Sequence, residues 1–419
     1  MPSPMLQQDL RALPRHEQAN GARKFLAEIP SQRPVELLAS APLYGLCVSL
    51  LEGGQKFSWR QLDVDTWRIT ATKSSYPPLN AVTGLHHPAI LPDNGTVCAT
   101  DREERLWLID GTGNQVLGDI VVGGNASHLA VHPEGHLIYV GCPGADQVAV
   151  VDARKHTKLA SIPIGKGGQL PNFSPDGRYA VIDCSRTNDV YLMDAERHRV
   201  IFTQGVGEAP HEAIFSPDGR FICVPCASGE LYLIPPQDPD RFTVIRCGFG
   251  AGHMDFSADA RYAYVASSLD DDVAIIDLTT QELLARVPAG AGAHRPTLSE
   301  DGRLLFVANF VADTVTVMDT RSREVIATLP VGTYPHDVVR APGGQIAVCS
   351  YGSGSCTLID PEDSLASREL KIGEGTSHCT FSPDGELGFF ANSISKDLAV
   401  VDLTRPGLRS ALPVSSREN

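Results

Sequence analysis

Residues 294–332 read HRPTLSEDGRLLFVANFVADTVTVMDTRSREVIATLPVG, and this stretch decides the fold. It holds four short segments rich in Val, Leu, Ile, Phe and Thr, the kinds of residue that are enriched in strands. Turn signals separate the segments, among them Asp301-Gly302, where Gly accepts the positive φ of a tight hairpin turn. No segment shows helical periodicity, which excludes a parallel α/β unit. We therefore predict four antiparallel strands in this stretch.

The same unit recurs through most of the chain. A Gly that closes an apolar segment returns every 41 or 42 residues, at Gly123, Gly165, Gly207, Gly248, Gly290, Gly332 and Gly373. Seven units end at these glycines and an eighth follows Gly373. Four-strand units at this period are typical of propellers, so we predict an eight-bladed β-propeller over residues 81–415. The first and last units each contain four strands, so we expect closure by packing rather than by a shared blade.

The composition fits a large repeat domain plus a small one. Of the 419 residues, 42% are hydrophobic and 6% aromatic, which suits a core built mostly from aliphatic side chains. The net charge of −15 repels phosphate backbones, so we expect no nucleic-acid partner. The sequence shows neither a membrane helix nor a signal peptide. We therefore expect a cytoplasmic protein without a membrane partner, whose ten cysteines are free thiols or metal ligands.

Residues 1–73 lack the repeat and predict a small domain of their own. Strand patterns at residues 9–14, 33–40 and 62–73 alternate with helix patterns at residues 16–29 and 43–54, which favours a two-layer α/β domain. The expected core positions are Ala19, Ala22, Phe25, Leu26, Leu62, Val64, Trp67 and Ile69. We predict a linker over residues 74–80, which contain two prolines, and a C-terminal tail over residues 416–419.

DLRALP at residues 9–14 and FSWRQLDVDTWRI at residues 57–69 resemble the TusA-like superfamily of sulfur carriers. Those carriers place Cys-Pro just before the first helix, whereas this chain has Pro14-Arg15-His16-Glu17 there. The resemblance is therefore to a branch without the carrier cysteine. It implies a protein partner for this domain rather than sulfur transfer.

The eight units resemble the YVTN family of β-propeller repeats. They carry apolar-Val-Gly, Pro-His, Ser-Pro-Asp-Gly, a Tyr-Val strand and a Val-x-Val-Ile-Asp strand in that order. Eight-bladed propellers of this type are similar to the d1-haem domain of nitrite reductases and to proteins that assemble that haem. The resemblance implies haem d1 or another tetrapyrrole, a role in nitrogen-oxide metabolism and, for an enzyme, an oxidoreductase. The chain has no CxxCH motif for covalent haem, which favours assembly or sensing over full nitrite reduction.

Histidine carries the main functional signal. In seven of the eight units a His opens the first strand, while Leu170 stands there in the third unit. Because first strands line the channel of a propeller, we expect these imidazoles to meet at one channel mouth, where they could ligate iron or copper. We predict that the cofactor-binding residues are His87, His128, His211, His253, His294, Arg295, His336 and His378. His86 belongs to the same series, and Arg295 is expected to bind a carboxylate of the ligand.

Other functions compete with the tetrapyrrole site. A copper or iron redox centre is the first alternative, with His87, His336 and His378 as metal ligands. Copper propellers such as nitrous-oxide reductase are similar in their histidines, but they are seven-bladed and exported. The second alternative is a protein-interaction scaffold whose histidines bond the backbone of neighbouring blades.

Three cysteines and two acids near the same end add weaker signals. Cys142, Cys184 and Cys226 are spaced 42 residues apart, so they hold one equivalent position, either as core fillers or as soft-metal ligands. Glu212 and Asp337 directly follow a His of the series, and we predict that each orients that His. The DREERLWLID segment around Asp101 is predicted to be a charged turn without a catalytic role.

Overall fold

The structure is a computed structural model that describes residues 5–13, 18, 21–22, 24–26, 34–40, 56–63, 66–72, 83–92, 95–112, 115–404 and 407–413. The chain divides into two compact units, residues 1–82 and 83–419. None of the described residues belongs to a helix that is long and apolar enough to cross a membrane.

The first unit is built on a four-stranded mixed sheet. Its strands are β1 (Leu6–Asp9), β2 (Pro34–Ala39), β3 (Lys56–Asp63) and β4 (Thr66–Thr72). The order across the sheet is β1-β2-β4-β3, with β1 parallel to β2 and the other pairs antiparallel. Residues 18, 21–22 and 24–26 are helical. Leu37 and Ile69 of the sheet and Ala22 of the helical segment are all fully buried.

Two predicted strands of this unit are wrong in their bounds. The pattern at residues 62–73 is not one strand, because β3 ends at Asp63 and β4 begins at Thr66, and the two strands pair antiparallel. Leu62, an expected core residue near the end of β3, is 40% exposed. The strand expected at residues 9–14 lies earlier, at β1, and residues 11–13 form a turn. The second helix expected at residues 43–54 and the linker at residues 74–80 lie outside the described residues.

The second unit consists of consecutive four-stranded antiparallel sheets, which we call blades 1 to 8. Blade 1 contains β5 (Pro88–Ile90), β6 (Thr96–Thr100), β7 (Arg105–Asp110) and β8 (Val116–Val121). Blade 2 contains β9 (Leu129–Val131), β10 (Leu137–Cys142), β11 (Gln147–Asp152) and β12 (Thr157–Pro163). Blade 3 contains β13 (Asn172–Phe173), β14 (Tyr179–Cys184), β15 (Asp189–Asp194) and β16 (Arg199–Gly205). Blade 4 contains β17 (Ile214–Phe215), β18 (Ile222–Pro225), β19 (Glu230–Ile234) and β20 (Thr243–Arg246).

The remaining blades repeat this plan with longer inner strands. Blade 5 contains β21 (Ala251–Phe256), β22 (Tyr262–Ser267), β23 (Asp272–Asp277) and β24 (Glu282–Pro288). Blade 6 contains β25 (Ala293–Leu298), β26 (Leu304–Asn309), β27 (Thr314–Asp319) and β28 (Glu324–Pro330). Blade 7 contains β29 (Pro335–Arg340), β30 (Ile346–Ser350), β31 (Ser355–Asp360) and β32 (Ala366–Lys371). Blade 8 contains β33 (Thr376–Phe381), β34 (Leu387–Asn392), β35 (Asp397–Asp402) and β36 (Gly407–Pro413).

The blades form a closed ring, which is the architecture of a β-propeller. The inner strands of neighbouring blades contact one another, except that β21 of blade 5 contacts blade 4 through β18, and β33 of blade 8 returns to contact β5 of blade 1. Blades 1 and 8 each contain four strands of their own sequence, so closure without a shared blade is confirmed. An apolar layer that includes Leu85, Trp107, Phe389 and Val400 packs between these two blades. Closure therefore depends on side-chain packing rather than on a strand exchanged between the ends.

Candidate functional site

The histidines of the series lie together at one end of the inner strands. His253, His294, His336 and His378 belong to the inner strands of blades 5 to 8, and the others directly precede or approach theirs. From blade 4 through blade 8 and blade 1 to blade 2, an imidazole of each blade contacts an imidazole of the next. The centroids of successive rings lie 4.2 to 5.4 Å apart in the order His211, His253, His294, His336, His378, His86 and His128. We call the set His86, His87, His128, His211, His253, His294, His336 and His378 the histidine cluster.

The cluster is more compact than a wide channel mouth would be. We expected only neighbouring blades to bring imidazoles close together. However, the rings of His128 and His378, which flank blade 1 on either side, lie 5.2 Å apart. His86 lies between them, at 4.6 and 4.5 Å. The imidazoles therefore pack against one another and narrow this end of the channel.

Burial keeps the imidazoles neutral. Removal from water disfavours a charged ring, and it lowers the pKa of His87 to about 4 and that of His336 to about 3. The same cause holds the pKa values of His86, His128, His253, His294 and His378 well below the usual value. A neutral imidazole keeps one lone pair, so these rings can ligate a metal without first losing a proton.

Hydrogen bonds assign the tautomer of two of the rings. Nδ1 of His294 lies 3.2 Å from the carbonyl oxygen of His336, so Nδ1 carries the proton and donates it. Nδ1 of His253 lies 2.5 Å from a carboxylate oxygen of Glu212 and 3.1 Å from Nη1 of Arg295. One nitrogen cannot donate to the first and accept from the second, and the much shorter contact decides the tautomer, so Nδ1 donates to Glu212 while Nη1 of Arg295 donates to the carboxylate. Both neutral rings then have their lone pair on Nε2, the state that a haem or metal ligand needs. These two bonds join neighbouring blades.

A charged network lies beside the rings of blades 4 to 7. Nη1 of Arg295 lies 3.3 Å from Glu212, and Nε lies 3.0 Å from Asp337. Both carboxylates are about 5% exposed, whereas the Arg295 side chain is 29% exposed. Burial raises the pKa of Asp337, and Arg295 opposes that shift. One arginine of blade 6 thus neutralises acids contributed by blades 4 and 7.

This network corrects the predicted roles of the two acids. Glu212 bonds His253 of the next blade rather than His211, which precedes it in the chain. Asp337 pairs with Arg295 rather than with His336. Glu212 itself has a φ of +52°, a conformation that non-glycine residues rarely adopt. In this conformation its carboxylate contacts His253 and Arg295.

The opposite half of the cluster is held by Arg102 of blade 1. Its Nη2 lies 2.8 Å from Nε2 of His86. A guanidinium can only donate, so Nε2 of His86 accepts and its Nδ1 carries the proton. Nδ1 of His86 is buried and has no hydrogen-bond partner among the described residues, and the same holds for Nδ1 of His87 and of His378. Unpartnered buried ring nitrogens are costly and mark this half as a place where a ligand would complete the bonding.

A bare metal ion fits this half poorly. Ring nitrogens of His86, His128 and His378 lie within 4.8 Å of one another, and this set shares only His378 with the predicted metal ligands. Tetrahedral ligands at about 2.0–2.1 Å from a metal stand about 3.4 Å apart, so the rings would have to move inward. In addition, Arg102 occupies the lone pair of His86 and places a positive charge next to the site. The arrangement favours a ligand that accepts hydrogen bonds over a cation.

A second group of potential ligands lies in a turn of blade 2. His132, Glu134 and His136 could in principle hold an ion. However, Nε2 of His132 lies 3.0 Å from the carbonyl oxygen of Gly177, and its Nδ1 accepts the N–H of Glu134. With both nitrogens engaged, His132 joins two blades and is not available as a ligand.

Cys142, Cys184 and Cys226 hold the expected equivalent positions, at or next to the ends of the second strands of blades 2 to 4. All three are completely buried, and burial raises the pKa of the Cys142 thiol to about 12. The pKa values of the other two thiols are raised by the same cause. Since only the thiolate binds metals or reacts readily, these cysteines act as core fillers.

A cavity of about 890 Å³ opens from the charged network. Glu212 and Arg295 form part of its wall, and it continues along the inner strands of blades 5, 6 and 7. It reaches the turns after those strands, near Ser257 and Ser299, at the end opposite the histidine cluster. Its volume lies within the range of about 300–1,000 Å³ that is usual for small-molecule sites.

The sequence did not single out Arg102, and Asp183 was likewise missed. Arg102 lies in a charged segment whose other members behave as expected, since Asp101 accepts bonds from Glu103, Arg105 and Trp107. Its left-handed φ of +57° turns it towards His86. Asp183 accepts the N–H of Ala213 in the next blade. Asp183 does not repeat at the blade period, and the position of Arg102 holds Arg again only in blade 3, at Arg186, so the repeat carried little signal for either residue.

Comparisons with known proteins agree on the fold. Residues 215–342, which include His253, His294, Arg295 and His336, match the family described as the cytochrome D1 heme domain. Dihydro-heme d1 dehydrogenase NirN in complex with DHE is 17% identical, with a TM-score of 0.62, covering 80% of this chain and 79% of that one. Hydrazine synthase of Kuenenia stuttgartiensis is 18% identical, with a TM-score of 0.53, covering 77% of this chain and 96% of that one. No curated protein matches the sequence. The chain therefore has the β-propeller fold of d1-haem proteins, and its central blades are similar to their haem domain.

Proposed function

We propose that the protein binds a d1-type haem or a closely related tetrapyrrole at the histidine cluster and acts in nitrogen-oxide metabolism. The observation that carries the proposal is the conjunction of buried neutral imidazoles with a partly exposed arginine at the same end of the channel. A haem needs an axial ligand with a free lone pair and cations for its carboxylates. His253 and His294 offer the first, and Arg295 offers the second.

The local similarity supports the same ligand. The segment that matches the cytochrome D1 heme domain contains both imidazoles with a free Nε2 and also Arg295. NirN, which shares the fold, was solved with DHE. The nine described cysteines are all free, which suits our further proposal that the protein works in the cytoplasm. The role of residues 1–73 as a surface for a protein partner stays a prediction.

The chain's own residues would hold and orient the group. Glu212 and the carbonyl of His336 fix the rings of His253 and His294 and so present Nε2 in one orientation. Arg295 can exchange part of its bonding to Glu212 and Asp337 for a ligand carboxylate. The unpartnered nitrogens of His86, His87 and His378 provide hydrogen-bonding groups on the other side of the cluster. When bound, the haem iron would supply redox chemistry that side chains lack.

Reconstitution tests the proposal. The full chain is mixed anaerobically with iron d1-type haem, and uptake is followed by visible absorption. We expect stoichiometric binding by the wild type, and a changed axial-ligand spectrum in either His253→Ala or His294→Ala, whichever ring ligates the iron. His156→Asn, at an exposed turn of blade 2 with a left-handed φ that Asn tolerates, is the matched control. No uptake by the wild type, or unchanged spectra in both alanine variants, would refute the proposed site.

A further inference from the structure

The turn between the first and second strands of blade 2 departs from the repeat. In blades 3, 4, 5, 6 and 8 this turn begins with Ser, and the hydroxyl donates to an Asp carboxylate two residues later. Blade 2 has His132, Glu134 and His136 at the first, third and fifth positions of the same turn. Imidazoles and carboxylates are the usual nitrogen and oxygen ligands of divalent transition metals. The departure therefore gives one turn three side chains of ligand type.

Contacts within the turn leave two of these side chains available. The ring of His132 is held by the N–H of Glu134, 3.1 Å from Nδ1, and by the carbonyl oxygen of Gly177, 3.0 Å from Nε2. It packs against the ring of His136, with centroids 4.1 Å apart. The Glu134 carboxylate lies 3.7 Å from Nδ1 of His136, and the two side chains are 80% and 36% exposed. Small rotations can therefore bring the two atoms to the spacing of about 3 Å between neighbouring ligands of one ion.

Blade 3 contributes a second imidazole that keeps a lone pair. His198 lies in the turn between β15 and β16, and its Nδ1 is 3.3 Å from the hydroxyl oxygen of Tyr139 in blade 2. That hydroxyl donates to the carbonyl oxygen of Ala195, 3.4 Å away, so Nδ1 donates to the hydroxyl and the lone pair is on Nε2. Burial lowers the pKa of His198, and the nearby His136 acts in the same direction. The ring is therefore neutral at neutral pH and can ligate a metal.

The three side chains share one pocket. Glu134, His136 and His198 line a cavity of about 390 Å³ between blades 2 and 3, at the end of the blades opposite the histidine cluster. The charged groups of its wall are three acids and one arginine, namely Glu134, Asp176, Glu196 and Arg178. The guanidinium of Arg178 lies over the ring of Tyr179, 5.5 Å from its centroid. The excess of acids favours a cation in this pocket.

We propose that this pocket binds one divalent ion of the copper and nickel class through His136, Glu134 and His198. Two imidazoles and a carboxylate leave the remaining positions to water, which suits the tetragonal geometry of these ions. Because the site is not tetrahedral, Co²⁺ bound here would lack the intense visible bands of tetrahedral cobalt. The pocket is independent of the haem site proposed above, since none of its ligands belongs to the histidine cluster.

Electron paramagnetic resonance of the full chain with one equivalent of Cu²⁺ tests the proposal. We expect a tetragonal copper signal coupled to the nitrogens of both imidazoles. His136→Gln and His198→Gln should each leave coupling to a single imidazole and lower the affinity for Cu²⁺ at least about tenfold. His156→Asn is the matched control, because His156 is exposed and holds the position of His198 one blade earlier but lies outside the pocket. It should bind Cu²⁺ as the wild type does.

The same variants distinguish this pocket from other places where copper could bind. Copper at the histidine cluster would keep its signal and affinity in both His136→Gln and His198→Gln, and that result would overturn the proposal. A wild type that binds no Cu²⁺ would also overturn it. Glu134→Gln changes a side chain that is 80% exposed, so the fold is preserved. This variant should keep coupling to both imidazoles and bind Cu²⁺ more weakly, and an unchanged affinity would remove Glu134 from the site.

Discussion

The guanidinium of Arg102 donates to Nε2 of His86 across 2.8 Å, and this bond decides what the His86–His128–His378 set can bind. It holds the lone pair of His86 and adds a positive charge at the point where a cation would bind. We therefore expect the wild type not to take up Co²⁺ at these histidines. Arg102→Ala should release Nε2 and produce the intense visible bands of tetrahedral cobalt.

The double variant Arg102→Ala/His86→Ala is the control for that experiment. It lacks the released ring, so it should lose the cobalt spectrum again. Tetrahedral cobalt in the wild type would show that Arg102 does not block the set. No cobalt in Arg102→Ala would show that the three rings cannot converge on an ion.

The ion pair between Glu212 and Arg295 should be strongly coupled. Removing one partner of a buried pair leaves an uncompensated charge and costs about 3–5 kcal/mol, so Glu212→Ala should lower the unfolding midpoint of the propeller markedly. Arg295→Met in the Glu212→Ala background should cost less than in the wild type, because the charge it removes has already lost a partner. Urea unfolding of the four chains in this cycle measures the coupling. Arg220→Met, at an arginine that is 47% exposed, should change stability by less than about 0.5 kcal/mol. Additive losses would contradict the coupling.

The repeat made most of the propeller predictable, whereas the small unit and the site were harder to predict. Gly closures at a fixed period predict blade number because each blade must solve the same packing problem. The positions of His253 and His294 follow from the same repetition. Their tautomers do not, since these depend on Glu212 and on a carbonyl of the next blade. The boundary between β3 and β4 was missed because the alternating pattern continues from the end of one strand into the next without a break.

Acid should destabilise the propeller through its neutral histidines. The pKa of His87 is lowered from 6.5 to about 4, so between these values the unfolded chain binds a proton that the folded chain does not. The contribution of the neutral His87 ring to the free energy of unfolding is therefore complete above pH 6.5 and is lost as the pH falls to about 4. This loss amounts to about 3 kcal/mol in the free energy of unfolding. His336, with a pKa of about 3, acts in the same direction. His87→Gln should reduce the steepness of the loss, measured as urea midpoints from pH 7 to pH 4, and an unchanged steepness would contradict a buried neutral ring.

Asp183 should make the stability of the propeller depend on pH in the opposite direction. Burial raises its pKa from 3.8 to about 6, so its unfavourable contribution grows as the pH rises through that range. Asp183→Asn keeps an oxygen to accept the N–H of Ala213, 2.9 Å away, and removes the charge. We expect this variant to be about 2–3 kcal/mol more stable at pH 7 and equal to the wild type at pH 3.5. A variant that is less stable at pH 7 would show that the ionised carboxylate is needed.

The contact between Gly84 and Ser393 offers a test of ring closure. A Cβ on Gly84 would lie 2.2 Å from the carbonyl oxygen of Ser393, in backbone that a side chain cannot push aside. Gly84→Ala should therefore separate the first residues of blade 1 from blade 8 and expose part of the apolar layer around Leu85 and Phe389. We expect a lower thermal midpoint and faster hydrogen exchange in β5 and β34, with the exchange of blades 3 to 5 unchanged. Gly118→Ala is the matched control, because a Cβ there meets nothing within 4 Å. If both substitutions leave exchange in β5 and β34 unchanged, the two ends of the propeller are not held by this close approach, and the packing of Leu85 against blade 8 would have to suffice for closure.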